Sequence, residues 1–426
     1  MSSNAAAVTA PGAAMAPKKD SVLEVMAASM IGTAIEFYDN YCYSIAAASV
    51  FPVIFFTTVA KSNPFLATIM SFVTFAVSFL ARPFGSLLFG HFGDKMGRKK
   101  TLVVALMMMG TATFVVGLLP GFDVLGPLSV VLLCVCRACQ GIGLAGEWSG
   151  AALVATENAP ADKRALWGSF PNLGAPIGFF CAYGVNLLLE SSLSSDQMLA
   201  WGWRVPFLLS AVLVVVGLIV RERMSETPVF QKALEEDKVV KSPLKELTKY
   251  WKQVLLGTWS LSYGVKTLGF TQPDYLKLEL GAIVFFAVFI LVGCLQADKR
   301  GRRPVLLFTT LLTVVFSFFA PQLLATQNPL NVFVFLALGF CLMGGLFGPC
   351  GAYLPELFPA NVRYSGSGLA YNLASILGGA FAPTIATALV AAFGIQGVGW
   401  YLVGMSVLAV VALVLIKESK DMEYDA

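Results

Sequence analysis

The sequence predicts an all-α polytopic membrane protein, built as two duplicated six-helix halves. Three observations carry that prediction. Of 426 residues, 57% are hydrophobic and only 13% charged, whereas a soluble globular chain carries about a quarter charged residues and under half apolar ones. Apolar runs long enough to cross a bilayer, roughly 20 residues each, recur along the whole chain. Two charged motifs also appear twice, in the same order, about 200 residues apart.

Taken in order, residues 1–20 are Ala-, Pro- and Ser-rich, with Lys18 and Lys19, and read as a disordered cytoplasmic tail. The first half, 21–220, holds spans at 24–56, 65–92, 101–121, 128–156, 166–189 and 203–220. A polar linker, 221–252, carries basic residues from Arg221 to Lys252. The second half, 253–417, holds spans at 279–297, 304–324, 329–355, 364–392 and 397–416, and 418–426 forms a second tail. The second half is short by about 25 residues, one span's worth. Its seventh span is therefore expected between Gln253 and Phe270, with Lys266 inside it. At 1.5 Å per residue that segment reaches about 27 Å, barely a crossing, so helix seven is shortened or partly missing.

Charge sets the expected orientation, because Lys and Arg concentrate in cytoplasmic loops. Lys95, Arg98, Lys99 and Lys100 follow span two, and Lys163 and Arg164 follow span four, whereas the intervening loops hold only Lys61. Both termini and the linker are thus placed in the cytoplasm, in an inner or plasma membrane. The start of the chain lacks the pattern of a cleaved secretion signal.

The duplication is explicit. Asp94-Lys95-Met96-Gly97-Arg98-Lys99 returns as Asp298-Lys299-Arg300-Gly301-Arg302-Arg303, and Glu157, Pro160 and Arg164 return as Glu356, Pro359 and Arg363. Gly90 to Lys99 resembles the signature loop between helices two and three of the major facilitator transporters, with Cys294 replacing the first glycine in the second copy. Further stretches are similar to the metabolite:proton symporter family of shikimate, α-ketoglutarate and proline/betaine carriers. They are Gly32 to Asp39, Ala81-Arg82-Pro83-Phe84-Gly85, Arg137 to Trp148, Trp201 to Phe207, Glu226 to Phe230 and Glu356-Leu357-Phe358-Pro359. The resemblance covers about residues 22–417, apart from 255–262, and implies proton-coupled symport by alternating access. Asn40 stands where that family usually has an aromatic residue.

Charges inside a membrane are expensive and mark function by default. Glu36 lies about 18 Å into span one, and Asp39, Asn40 and Tyr43 share its face at i+3, i+4 and i+7. Glu36 and Asp39 read as a proton-carrying pair; the alternative is a polar clamp between helices. Arg82 and Arg137 lie at comparable depth, with Glu147 about 15 Å nearer the cytoplasm. A buried guanidinium binds carboxylate bidentately, so either arginine suits an anionic substrate and an exchange of partners with Glu36 or Asp39. The alternative is a permanent ion pair that fixes packing. Tyr353, Tyr371 and Asn372 are the second half's candidate cavity residues. Asp94, Arg98, Asp298 and Arg302, together with Glu157, Arg164, Glu356 and Arg363, are expected to gate the cytoplasmic side. Gly141, Gly143, Gly146 and Gly150 let span four pack closely, and Arg204 beside Trp201 and Trp203 reads as an interfacial anchor.

Other classes are disfavoured. One histidine, His91, and eight cysteines scattered in apolar runs leave no catalytic dyad and no metal set, so neither an enzyme nor a cofactor is expected. A net charge of +4 does not suit nucleic acid, and no phosphate-binding G-x-x-x-x-G-K-[ST] loop occurs. The expected partners are a small-molecule substrate, protons and the lipid bilayer, with a monomeric chain. Two rivals remain: a proton-driven exporter of amphipathic compounds, and a non-transporting remnant, motivated by the short helix seven.

Overall fold

The computed structural model describes residues 22–96, 98–222, 269–326, 328–358, 363–375 and 381–420. The expected seventh span falls almost wholly outside them. In hydrocarbon no water is available to the backbone, so a spanning segment must satisfy its own N–H and C=O groups as helix. The apolar runs accordingly become long helices: α1 (Val22–Ser49), α2 (Pro64–Met96), α3 (Arg98–Leu118), α4 (Pro127–Glu157), α5 (Arg164–Ser192) and α6 (Val205–Glu222). After residue 269 come α7 (Gln272–Arg300), α8 (Arg302–Leu324), α9 (Pro329–Glu356), α10 (Arg363–Ser375), α11 (Ala382–Phe393) and α12 (Ile395–Leu415). Nine helices among the described residues are long and apolar enough to cross a membrane. The 28 residues of α1 reach about 42 Å, also sufficient.

The boundaries follow local chemistry. The first span is shorter than its apolar run: α1 stops at Ser49, and two short helices, Phe51–Ile54 and Thr57–Ser62, follow, the first with proline near its start. Proline has no N–H to continue the preceding helix but fits a new first turn. Thr271 caps α7 by accepting the Asp274 N–H at 3.3 Å. Gly301, at φ +102, ends α7 and reverses the chain into α8 in a conformation other residues rarely adopt.

Small residues bring the helices together. A Cβ on Gly141 would collide with the Ser78 carbonyl of α2, and one on Gly143 would lie 2.8 Å from the Ala105 oxygen of α3. These contacts seat α4 between α2 and α3. The helices before 222 and those after 269 meet along two seams, α5 against α7 and α9, and α10 against α2 and α4. Gly168 and Gly351 touch backbone to backbone at the first seam.

Candidate functional site

Four predicted charges are buried: Glu36 is 3% exposed, Asp39 2%, Arg82 4% and Arg137 1%. Among the described residues no direct ion pair joins one of these four to another. Asp39 Oδ2 accepts a hydrogen bond from the Thr113 hydroxyl of α3 at 2.8 Å. That hydroxyl accepts from Gln140 Nε2 at 2.5 Å, and Gln140 Oε1 accepts from Arg137 Nη1 at 2.8 Å. A neutral relay across α1, α3 and α4 thus separates carboxylate from guanidinium. Arg137 also donates to Asn40 Oδ1 at 3.5 Å and the Phe75 carbonyl at 3.4 Å. It lies 3.9 Å over the Tyr43 ring, whose hydroxyl meets the Thr74 hydroxyl at 2.7 Å. Tyr43 and Phe75 therefore solvate the cation through their ring faces.

Arg82 is placed differently. Its guanidinium sits 4.2 Å over the Phe79 ring and within electrostatic reach of Glu36 and Tyr371. Among the described residues it has no ion pair or hydrogen bond, and its Nε is buried without a partner. Tyr371 of α10 stacks on Trp148 of α4, with ring centroids 4.1 Å apart. Trp148 donates to Asn172 Oδ1 at 3.0 Å, and Asn172 Nδ2 donates across the seam to the Phe347 carbonyl at 2.7 Å. The Asn372 amide donates to Ser86 Oγ at 2.7 Å and to the Ala145 carbonyl at 3.2 Å. Tyr371 and Asn372 thus join the two groups of helices beside Arg82. Glu147 is also buried, in α4.

Tyr353 stands apart from this cluster. Its hydroxyl donates to the Lys417 carbonyl of the C-terminal segment at 3.3 Å. It lies three residues from the end of α9, about 5 Å from that end.

Of the residues expected to gate, Asp298, Arg302, Glu356 and Arg164 converge at the basic end. Asp298 accepts the Ala165 N–H at 2.9 Å and the Leu166 N–H at 3.0 Å, capping the start of α5 from the opposite group of helices. Arg302 reaches Asp298 at 3.4 Å and Glu356 at 3.1 Å, and Arg164 lies within electrostatic reach of Glu356. The C-terminal segment reinforces this cluster. Glu418 accepts the N–H groups of Arg302 and Arg303 at 2.9 and 3.0 Å, and the Ser419 hydroxyl donates to Glu356 at 2.6 Å. Glu157 is half-buried at the end of α4. The side chains of Asp94, Arg98 and Arg363 lie outside the described residues. Arg204, the expected interfacial anchor, donates to the Gly117 and Leu119 carbonyls at the end of α3 and lies 4.4 Å over the Trp203 ring.

Sequence reasoning missed Thr113, Gln140 as a site residue, and Glu279. Glu279 is completely buried in α7 and within electrostatic reach of Tyr41 and Tyr183 across the α5 seam. A carboxylate inside an apolar run is the sequence signal that points to it. A threonine in an apolar helix gave none.

Residues 25–250 match the family described as "Sugar (and other) transporter", and residues 254–425 match the Major Facilitator Superfamily. The chain is 48% identical over 418 residues to the inner membrane metabolite transport protein YhjE of Escherichia coli strain K12, covering 93% of this chain and 94% of that protein. It is 34% identical to the shikimate transporter of the same strain, covering 92% and 94% of the two chains. It is 30% identical to that strain's proline/betaine transporter, covering 93% and 84%. The fold is similar to that of the proton:xylose symporter XylE bound to 6-bromo-6-deoxy-D-glucose. There the TM-score is 0.76 at 18% identity, over 93% of this chain and 96% of that one. Long apolar helices, a duplicated loop motif and full-length relatives agree: this multi-pass membrane chain is a transporter rather than an enzyme, and it belongs to the major facilitator superfamily, in the metabolite symporter family.

Proposed function

We propose that this chain carries a small organic acid or zwitterionic metabolite inward together with protons, by alternating access between two halves. The observation that carries the reading is Arg82, a guanidinium held deep in the bilayer without an ion pair among the described residues and close to Glu36. Such a group is costly to keep, and its planar fork matches a carboxylate. A substrate carboxylate would supply the missing partner. Protonation of Glu36 or Asp39 removes negative charge from the arginines' surroundings, so substrate anion and proton bind together and leave together.

Asp39 and Arg137 are the second element of this reading. The Thr113–Gln140 relay holds them apart, so neither neutralises the other by direct contact. That favours symport over the export of amphipathic compounds, for which internally paired arginines would be expected. The basic end, with its Asp298–Arg302–Glu356 latch, is assigned to the cytoplasm on the charge bias of the loops. Both termini then lie inside, in a monomer of two halves, 21–220 and 253–417, joined by the 221–252 linker. The similarity to YhjE, an inner membrane metabolite transport protein, supports the same location.

The test is uptake of labelled shikimate, dicarboxylates and betaine into proteoliposomes under an imposed proton gradient. Asp39→Asn is expected to abolish gradient-driven accumulation while sparing substrate exchange. Unaltered accumulation in that variant refutes the proton role. Absence of proton-dependent uptake of every candidate, by folded protein, leaves the non-transporting reading standing.

A further inference from the structure

A groove of about 490 Å³ opens on the outer side of the helices after 269, between α7, α8 and α9. Its walls include Phe289 and Phe308, both exposed on the surface that a bilayer covers. Its floor is low because α7 and α9 meet through glycine: a Cβ added to Gly293 would lie 3.1 Å from the Gly345 backbone. Phe289, Gly293, Gln296 and Arg300 follow one another at i, i+4, i+7 and i+11, and so share one helix face along the groove.

The groove is therefore apolar along its length and cationic at its basic mouth. Arg300 is exposed, and no ion pair or hydrogen bond of its side chain is found among the described residues. Two carboxylates at this end of α7 and α8 are already engaged. Asp298 caps α5 and meets Arg302, and Glu418 caps α8. Arg303 is spent on the Leu413 and Val414 carbonyls. Among the described residues Arg300 is thus without an ion pair and open to a ligand at the groove mouth.

We infer that this groove binds an anionic phospholipid from the leaflet at the basic end. One acyl chain lies between Phe289 and Phe308, where side chains are absent from the floor. The phosphate takes hydrogen bonds from the Arg300 guanidinium and the Gln296 amide. Two features select this occupant: a membrane-embedded apolar channel suits an acyl chain, and an exposed arginine at its basic mouth, with no ion pair among the described residues, suits a phosphate. The inference is independent of which solute is carried.

The experiment reads lipid retained by the full chain in native mass spectrometry, after extraction from vesicles of equal phosphatidylglycerol and phosphatidylcholine. The wild type is expected to retain phosphatidylglycerol preferentially. Arg300→Gln should reduce that preference about five-fold, the attraction of one arginine to anionic lipid. Leu342→Trp, which fills the groove from its wall, should remove the retained lipid with Arg300 intact. Lys277→Gln, an exposed cation at the opposite end of α7, should change nothing. A wild type that retains both lipids equally, or that forms a lipid-free dimer, overturns the site. So does a preference that survives either groove substitution.

Discussion

Asp298 gives the most direct test of the proposed alternation between two states. In the structure its carboxylate accepts two backbone N–H groups at the start of α5 and also meets Arg302, tying the two groups of helices together at the basic end. A hydrogen bond to a charged group contributes about 1.5–3 kcal/mol, and a negative charge at a helix N-terminus adds about 0.3–1 kcal/mol. Once this end opens, water replaces part of both contributions. The net preference for closure is then close to one such bond, about 2 kcal/mol or roughly 30-fold in population. Asp298→Ala should shift the equilibrium toward the state open at the basic end by that factor. Asp298→Asn keeps one acceptor oxygen and should shift it by about five-fold, half of that energy. The assay is pulsed electron-spin distance measurement between labels at Lys163 and Lys299, on the two sides of the latch. A graded loss of the short-distance population, wild type over Asn over Ala, is expected. Unchanged distributions, or an Asn variant that opens more than Ala, would refute the assignment of Asp298 as a latch.

Three further predictions follow from the same contacts. Arg82→Lys should weaken substrate binding at least about ten-fold, because an ammonium cannot reproduce a bidentate carboxylate contact; equal affinity by calorimetry would count against substrate contact. Thr113→Val keeps the shape of the side chain but removes the donor to Asp39 and the acceptor for Gln140. It should cut proton-driven uptake by about ten-fold or more, through a lost charge-assisted bond, while the detergent-solubilised protein still elutes as a single folded species. Glu418→Ala uncaps α8 and should lower stability by about 0.5–2 kcal/mol, read as a melting shift of a few degrees, with substrate affinity unchanged.

Much of this was legible before any coordinates, because a bilayer makes sequence signals coarse and strong. Glu36, Asp39, Arg82 and Arg137 stood out as charges in apolar runs, and all four are buried in the fold. The paired loop motifs announced the duplication, and Asp298, Arg302 and Glu356 do meet. The first span was read too long, since the residues after Ser49 remain apolar while Pro52 interrupts the helix. The chemistry of Tyr353 suggests a cavity residue, and the structure adds a hydrogen bond from its hydroxyl to the Lys417 carbonyl near the end of α9.

Composition by itself determined the helical membrane class, and the repeated charged motifs predicted a twofold plan. The expected height of each charge follows only from how far the residue lies along its own helix, measured against a bilayer of fixed thickness. Partnership was decided by tertiary structure alone. Whether Asp39 faces Arg137 directly or through Thr113 and Gln140 depends on how α1, α3 and α4 are rotated against one another. Glycines of α4 fix that rotation by backbone contact with α2 and α3. The same holds for Glu418, which reaches the start of α8 from the far end of the chain. Sequence fixes a residue's height along its helix, but only packing fixes the direction in which its side chain points.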